Sequence, residues 1–173
     1  LAGNMGAGAL NVLNKQGKII DCYYRNQKDV TKRLLAQEIN DLHIDKNGLF
    51  WICTAFDGLY CWDRKNNTVE QFGIEHGFLS TTQYRIEEDD FNNLWISTDF
   101  GLAKFNKKTK RAKIYTEADG ISHNEFNRVS SYKDVDGTLY FGGMNGVTYF
   151  HPKDFFEEEN IQDYSFVVNN LSL

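Results

Sequence analysis

Several features are scarce or missing in this 173-residue sequence, and each scarcity excludes a class of protein. The sequence contains no run near the ~20 apolar residues that a membrane-spanning helix needs. Lys and Arg total 19 against 24 Asp and Glu, a net charge of −5, so the basic stripe that binds nucleic acid is missing. We therefore expect no nucleic-acid partner, and membrane attachment only through other parts of a longer protein.

Cysteine and histidine are also scarce, and their spacing excludes the common metal sites. The three cysteines form no C-x-x-C pair, and the four histidines form no H-E-x-x-H motif. We predict no metal and no cofactor. Cys53 and Cys61 fall on consecutive predicted strands, which leaves a disulfide open, although buried free thiols are the favoured interpretation.

The opening of the chain lacks the features of a secretory leader. Residues 1–13 are glycine-rich, with no basic start and no apolar run. The stretch from Gly8 to Asn14 instead matches the later stretch from Phe100 to Asn106. We therefore expect a fragment that begins in the middle of a repeat.

What the sequence does contain is a threefold internal repeat. Three aromatic residues lie 44 and 45 residues apart, each six residues after an aspartate and each followed by a second-turn glycine. These nine repeat anchors are Asp45, Trp51 and Gly58, then Asp89, Trp95 and Gly101, then Asp134, Tyr140 and Gly146. The repetition indicates one structural unit used three times.

The spacing within the repeat predicts antiparallel strands joined by tight turns. The aspartate accepts backbone N–H groups, and Gly or Asn three residues later adopts a positive φ. Successive side chains after the turn then point in opposite directions, as in a strand, with Trp51 and Cys53 on one side and Ile52 and Thr54 on the other. Four short strands per ~45 residues match a propeller blade, whereas unrelated hairpins in a sandwich are the alternative. We predict an all-β fold, a partial β-propeller of four-stranded antiparallel blades, with Trp51, Trp95 and Tyr140 buried between successive blades.

This interpretation divides the chain into six segments. Residues 1–24 form a partial blade, 25–38 a linker between blades, and 39–73 a complete blade. Residues 74–116 form a linker and a blade, and 117–152 a linker and the last blade. Residues 153–173 form an exit linker and the first strand of a truncated immunoglobulin-like domain. Helix is expected only as a turn near residues 30–38.

The repeat resembles the two-component regulator propeller repeat, I-x-x-D-x-x-G-x-L-W-I-G-T-x-x-G-L-x-x-F. The second copy departs from this pattern at Asn92 and Ser97. It matches at Asp89, Leu94, Trp95, Ile96, Thr98, Gly101, Leu102 and Phe105. The resemblance implies the extracytoplasmic, periplasmic sensor region of a Bacteroidetes-like hybrid two-component histidine kinase, and carbohydrate fragments as ligands.

Candidate binding residues lie in the second turns and in one linker, on the face where propellers usually present binding loops. They are Asp57, Asp99 and Asn145 in the turns, and His123 and Asn124 in the linker. The acidic run of residues 87–90 is expected to be a solvated strand end, because its side chains alternate in direction. The lysine-rich group of residues 107–113 is expected to be a solvated connection.

Three functions remain open at this point. The first is a ligand-sensing module of a signalling receptor, without catalytic residues in this segment. The second is a propeller hydrolase or lyase acting on polysaccharide, which a suitable carboxylate pair would favour. The third is a structural dimerisation module. Expected partners are the remaining blades of the same propeller, an oligosaccharide and a second copy of the chain.

Overall fold

The computed structural model describes residues 2–4, 9–34, 36 and 38–155. Throughout these residues the regular structure is β-strand, with four short 3-10 turns and no α-helix. The predicted strand of the immunoglobulin-like domain, within residues 156–173, lies outside the described residues. The strands are β1 (Ala2–Asn4), β2 (Ala9–Leu13), β3 (Ile19–Tyr24), β4 (Ile39–Ile44), β5 (Phe50–Thr54), β6 (Leu59–Asp63), β7 (Thr68–Phe72), β8 (Gln83–Glu88), β9 (Asn93–Thr98), β10 (Gly101–Asn106), β11 (Arg111–Tyr115), β12 (Phe126–Lys133), β13 (Leu139–Gly143) and β14 (Gly146–Phe150).

These strands form four antiparallel sheets that follow one another along the chain. The first sheet contains β1–β3, the second β4–β7, the third β8–β11 and the fourth β12–β14, and neighbouring strands in each sheet are consecutive in sequence. The all-β prediction is confirmed. The helical turn expected near residues 30–38 is a 3-10 turn at Val30–Lys32.

The turn between the first and second strands has the predicted capping in the first two repeats, whereas Asp134 of the third accepts one hydrogen bond, from the N–H of its neighbour Val135. Asp45 Oδ1 accepts the backbone N–H groups of Asn47 and Leu49 at 2.9 and 3.1 Å. The residue three positions after the aspartate is left-handed in all three copies, with φ values of 80° at Gly48, 76° at Asn92 and 90° at Gly137. Asn92 can replace glycine because asparagine tolerates this region better than most residues with a side chain.

The second turn requires glycine for space as well as for backbone conformation. A Cβ atom added at Gly58 would lie 2.4 Å from the carbonyl oxygen of Phe72, and one at Gly101 would lie 2.5 Å from that of Tyr115. In both cases the outermost strand of the sheet passes too close for any side chain. Gly146 has no atom within 4 Å of that position.

Three hydrophobic clusters fill the spaces between successive sheets. In β9, Leu94 and Ile96 pack towards the second sheet, whereas Trp95 packs towards the fourth. A strand with both faces buried explains why β9 is buried at every position. Apolar burial between sheets is the main source of stability in such an arrangement.

The repeated aromatic residues occupy equivalent positions but not equivalent environments. Trp51 is 3% exposed and Trp95 is fully buried, as predicted. The indole N–H of Trp51 donates to Asp45 at 3.1 Å, and that of Trp95 donates to Asp89 at 2.9 Å. The prediction for Tyr140 is wrong: its residue is only half-buried, because no sheet in the described part of the chain covers that side of β13.

The cysteines are free thiols, which settles the alternative left open by the sequence. Cys53 lies opposite Leu59 and Cys61 lies opposite Trp51, so the two cysteines do not face each other. Burial raises the pKa of the Cys61 thiol to about 12. Burial likewise raises the pKa of Cys53, so neither thiol is a reactive nucleophile near neutral pH.

Candidate functional site

The first strands of the second, third and fourth sheets lie side by side and form one polar surface. Each of these strands contributes polar side chains at alternate positions, where a buried strand would carry apolar ones. We call this set the inner-strand surface; it consists of Asp41 and His43 in β4, Arg85 and Glu87 in β8, and Ser131 and Lys133 in β12.

Side-chain hydrogen bonds join the three strands across the inner-strand surface. Asp41 accepts from the Arg85 guanidinium at 2.9 Å and from the Ile86 backbone N–H at 2.8 Å. Arg85 Nε donates to the Ser131 hydroxyl at 3.2 Å, and that hydroxyl donates to Glu87 at 2.6 Å. These bonds fix the side chains before any ligand arrives, which lowers the entropic cost of binding.

A cavity of about 350 Å³ lies at the end of the inner-strand surface near the first turns. We call it the inner-strand cavity; it is lined by His43, Lys46, Glu87, Glu88, Asp89, Asp90 and Lys133. His43 Nε2 and Glu88 Oε2 are 2.7 Å apart, and Lys133 lies 2.8 Å from Asp90. Its volume falls within the usual range for small-molecule sites, about 300–1,000 Å³.

A buried ion cluster supports the wall of this cavity. Lys107 is only 6% exposed and pairs with Asp45 at 3.1 Å and with Glu88. Burial alone would raise the pKa of Asp45, but hydrogen bonds from Trp51 and Lys107 outweigh it and hold that pKa below its usual value. Hydrogen bonds from Lys107 and His43 likewise lower the pKa of Glu88 against the opposing effect of burial.

This cluster corrects two expectations from the sequence. Lys107 belongs to the lysine-rich group that was expected to be solvated, yet it is buried between the second and third sheets. The acidic run is only partly a solvated strand end: Asp90 is exposed, but Asp89 is 4% exposed and Glu88 is mostly buried. Its side chains do differ in direction, and Glu87, Glu88 and Asp90 reach separate partners.

Two charged groups of the inner-strand cavity remain available to a ligand. Glu87 accepts one hydrogen bond, from Ser131, and is partly exposed. Lys46 is exposed and makes no ion pair with the described residues. A carboxylate acceptor and an ammonium donor that line one cavity can bind the hydroxyl groups of a polar ligand. No cluster of three or more metal-ligating side chains occurs within the described ranges.

Two of the predicted binding residues hold a linker in place. Asn124 Oδ1 accepts the backbone N–H of Glu117 at 2.8 Å, and Glu117 Oε1 accepts that of Asn124 at 3.1 Å. His123 Nε2 is 3.7 Å from Glu117. The carbonyl oxygen of Asn124 also accepts the N–H of Gly101 at 2.6 Å, which ties the linker to the second turn of the third sheet.

The other three predicted binding residues lie in the second turns of the second, third and fourth sheets. Asp57 and Asp99 are partly buried and Asn145 is exposed. Asp99 Oδ1 is buried without a hydrogen-bond partner among the described residues, and Asp57 accepts at its backbone carbonyl from Gln71 at 2.7 Å. A binding role for these residues stays a prediction.

Sequence reasoning missed the inner-strand surface, although a signal was present. The first strand of each repeat carries polar residues at alternate positions, for example Asp41 and His43 followed 44 residues later by Arg85 and Glu87. The aromatic and glycine repeat in the same stretches is the stronger signal.

The chain is similar to known proteins both in sequence and in fold. No protein-family model matches the chain. It is 39% identical over 100 residues to histidine kinase P4 of Formosa agariphila. It superposes on the extracellular domain of a hybrid two-component system from B. thetaiotaomicron with a TM-score of 0.74 at 21% identity over 98% of the chain. A second such domain from that organism gives 0.67 at 20% identity over 87%.

The resemblance drawn from the repeats is confirmed. The named relative is a histidine kinase, and the structural neighbours are extracellular domains of hybrid two-component systems, as the repeat pattern implied. The match to the kinase covers 57% of this chain but only 7% of the kinase. The chain spans 24% and 22% of the two extracellular domains.

Proposed function

We propose that this chain is a ligand-sensing part of the extracytoplasmic, periplasmic region of a two-component sensor histidine kinase. The observation that carries the proposal is the combination of two likenesses. The sequence is related to a histidine kinase, and the fold matches extracellular domains of two-component systems over nearly the whole chain. The kinase and receiver functions belong to other parts of such a protein.

We further propose that the four sheets are consecutive blades of a propeller. Each sheet is a meander of consecutive strands, and aromatic residues pack between one sheet and the next. The first strands β4, β8 and β12 lie adjacent to one another, as the innermost strands around a propeller axis do. On this arrangement the inner-strand surface faces the axis.

The ligand that best fits the inner-strand cavity is a small, hydroxyl-rich molecule, and we propose an oligosaccharide fragment. The cavity offers hydrogen-bonding groups of both kinds, held by side chains of three sheets. Carboxylates such as Glu87 accept hydrogen bonds from sugar hydroxyls, and Lys46 donates to them. A ligand in this position would contact side chains of the second, third and fourth sheets, and could therefore change how these sheets pack against one another.

We propose that this segment senses its ligand without transforming it. Apart from Glu87, the carboxylates near the cavity are already engaged: Asp89 holds its turn, Glu88 pairs with Lys107, and Asp90 pairs with Lys133. A glycosidase needs a protonated acid and a free second carboxylate facing one bond. Here burial acts to raise the pKa of Glu88, but hydrogen bonds from Lys107 and His43 outweigh it and hold that pKa below its usual value.

The test uses the full-length receptor in membrane vesicles with a panel of oligosaccharides. We expect one oligosaccharide class to change the rate of kinase autophosphorylation. Glu87→Gln should raise the concentration needed for half-maximal response by at least about tenfold, the loss expected for a charged hydrogen bond. Glu75→Gln is the matched control, because Glu75 is 70% exposed in a linker away from the cavity.

Two results would contradict the proposal. A receptor whose autophosphorylation ignores every oligosaccharide, while responding to another ligand class, would overturn the ligand assignment. An oligosaccharide response that Glu87→Gln and Glu75→Gln leave equally unchanged would place the site elsewhere.

A further inference from the structure

The interface between the third and fourth sheets contains an aromatic plug. Phe155 ends the 3-10 turn Pro152–Phe155 and places its ring among three others. Its centroid lies 5.0 Å from those of Trp95 and Tyr115 and 5.1 Å from that of Phe150, in each case with an edge-to-face geometry. Phe155 therefore occupies the space beside the paired rings of Trp95 and Tyr115.

The interface between the second and third sheets repeats the paired rings. Trp51 and Phe72 stack with centroids 6.1 Å apart and 28° between their planes, whereas Trp95 and Tyr115 stack at 5.6 Å and 27°. Each pair combines the repeated tryptophan of the second strand with the last residue of the outermost strand. The two interfaces therefore present the same pair of rings in the same arrangement.

The residue in the place of Phe155 is a lysine in the earlier interface. Lys110 and Phe155 are 45 residues apart, which is the length of one repeat. The Lys110 ammonium lies 6.0 Å from the centroid of the Phe72 ring and pairs with Glu70, and both of these charged side chains are about half-exposed. Because Lys110 extends to a partner at the surface, it leaves the space beside the rings open.

A cavity of about 220 Å³ lies in this open space. We call it the ring-pair cavity; its lining includes Trp51, Phe72 and Cys61 on the apolar side and Glu70, Lys108 and Lys110 on the exposed side. An apolar cavity of about 150 Å³ is large enough to bind benzene, whereas sites for drug-sized ligands usually exceed about 300 Å³. The size therefore fits one aromatic ring with a short substituent and is too small for an oligosaccharide.

The charges around the ring-pair cavity favour one negative charge on its ligand. Two of its three lysines are already paired, Lys107 with Asp45 and Lys110 with Glu70. The third, Lys108, is exposed and forms no ion pair within the part of the chain that the structure describes. A carboxylate on the ligand would give Lys108 a charged hydrogen-bond partner.

We propose that the ring-pair cavity binds a small aromatic carboxylate. The ring of the ligand takes the place beside Trp51 and Phe72 that Phe155 holds in the next interface, and the carboxylate pairs with Lys108. The proposal rests on the correspondence between the two interfaces. It does not depend on oligosaccharide sensing in the inner-strand cavity, so a failed oligosaccharide titration would leave it standing.

Fluorine NMR with para-fluorophenylacetate as the probe tests the ligand class. We expect the purified wild-type chain to bind this probe in a one-to-one complex. Trifluoroacetate, which has the charge without the ring, should bind at least about tenfold more weakly, because it buries little apolar surface. The neutral para-fluorobenzyl alcohol should bind about two- to fivefold more weakly, the loss of one exposed ion pair.

Two substitutions at one position test the place of the ring. Lys110→Phe supplies the plug that Phe155 supplies in the next interface, and should raise the dissociation constant of the probe at least about tenfold. Lys110→Gln removes the same charge without adding a ring, so its dissociation constant should stay within about fivefold of the wild-type value.

A substitution of the unpaired lysine tests the place of the carboxylate. Lys108→Gln should raise the dissociation constant about two- to fivefold. Lys28→Gln is the matched control, because Lys28 is exposed in the linker between the first and second sheets, and it should leave binding unchanged. Far-UV circular dichroism confirms folding, and Lys108→Gln at its exposed position keeps the test valid if Lys110→Phe does not fold.

Three outcomes would overturn the proposal. The first is a wild-type chain that does not bind para-fluorophenylacetate at millimolar concentration. The second is a probe whose binding tolerates Lys110→Phe but is lost in Lys46→Gln, which would place the probe in the inner-strand cavity. The third is equal binding of the carboxylate and the neutral alcohol, together with no effect of Lys108→Gln, which would exclude a carboxylate as the recognised group.

Discussion

Removal of the Asp89 carboxylate should be among the most destabilising single changes in this fold. Its Oδ1 accepts the backbone N–H groups of Phe91 and Asn93 at 2.9 and 2.8 Å, and its Oδ2 accepts the Asn93 amide and the Trp95 indole, both at 2.9 Å. The corresponding Asp134 accepts one short-range hydrogen bond, from Val135. Replacing each aspartate by alanine therefore compares four hydrogen bonds with one at the same position of the repeat.

The expected magnitude follows from the donors that are left behind. Hydrogen bonds to a charged group contribute about 1.5–3 kcal/mol each, but their effects are not additive within one network. Trp95 is fully buried and Asn93 is 3% exposed, so water cannot readily replace the carboxylate. We expect Asp89→Ala to lower the free energy of unfolding by about 3–5 kcal/mol. Asp134→Ala should cost less than about 1 kcal/mol, because its turn is exposed.

Thermal unfolding followed by far-UV circular dichroism measures both variants. For a chain of this size the Asp89→Ala loss corresponds to a decrease in midpoint of roughly 6–20 °C. A double-mutant cycle with Trp95→Phe, which removes only the indole N–H and part of the ring, should give a coupling of about 1–2 kcal/mol between the two residues.

Equal effects of the two aspartate substitutions would refute this reasoning. They would show that the repeated aspartate stabilises the turn itself, and that the hydrogen bond donated by the indole N–H to the carboxylate adds little. A coupling near zero in the cycle would have the same meaning for Asp89 and Trp95.

Two other predictions concern the ion cluster and a second turn. The pKa values of Asp45 and Glu88 are lowered in the folded protein, so the stability they contribute is present above their unfolded pKa values, about 4, and is lost as the pH falls through the folded values. The thermal unfolding midpoint of the wild type should therefore fall steeply between about pH 5 and 3, where carboxylates titrate. The midpoint of Lys107→Met should fall less steeply over the same range. The pKa of Lys107 is raised, so its contribution is complete below about 10.5 and is lost only at higher pH. Gly101→Ala should destabilise by at least about 2 kcal/mol more than Gly120→Ala, because the two φ values are 106° and 96° but only at Gly101 does a backbone oxygen lie 2.5 Å from the added Cβ; equal midpoints for the two variants would contradict this.

The local chemistry of the repeat was predictable because it lies within short stretches of sequence. The six-residue spacing from Asp89 to Trp95 encodes the capped turn, and asparagine at position 92 encodes its left-handed residue. The antiparallel strands between the turns followed from the same spacing and are observed, for example, at Asn93–Thr98 and Gly101–Asn106. Such features depend on residues that are close in the chain.

The features that were missed depend on contacts between sheets. Arg85 meets Asp41 across 44 residues of chain, and Lys107 meets Asp45 across 62. These pairs require a particular placement of one sheet against the next, which the pattern of a single repeat does not specify. The exposure of Tyr140 has the same origin, because the burial of this position is decided by the neighbouring sheet and not by its own strand.

The most direct test of a sensor that binds without catalysis is isothermal titration of the purified chain with oligosaccharide fragments, followed by chromatography of the recovered ligand. The account predicts binding by the wild-type chain, binding weakened at least about tenfold by Glu87→Gln, and ligand recovered intact. Cleaved oligosaccharide, formed by the wild-type chain and lost in the Glu87→Gln variant, would contradict it.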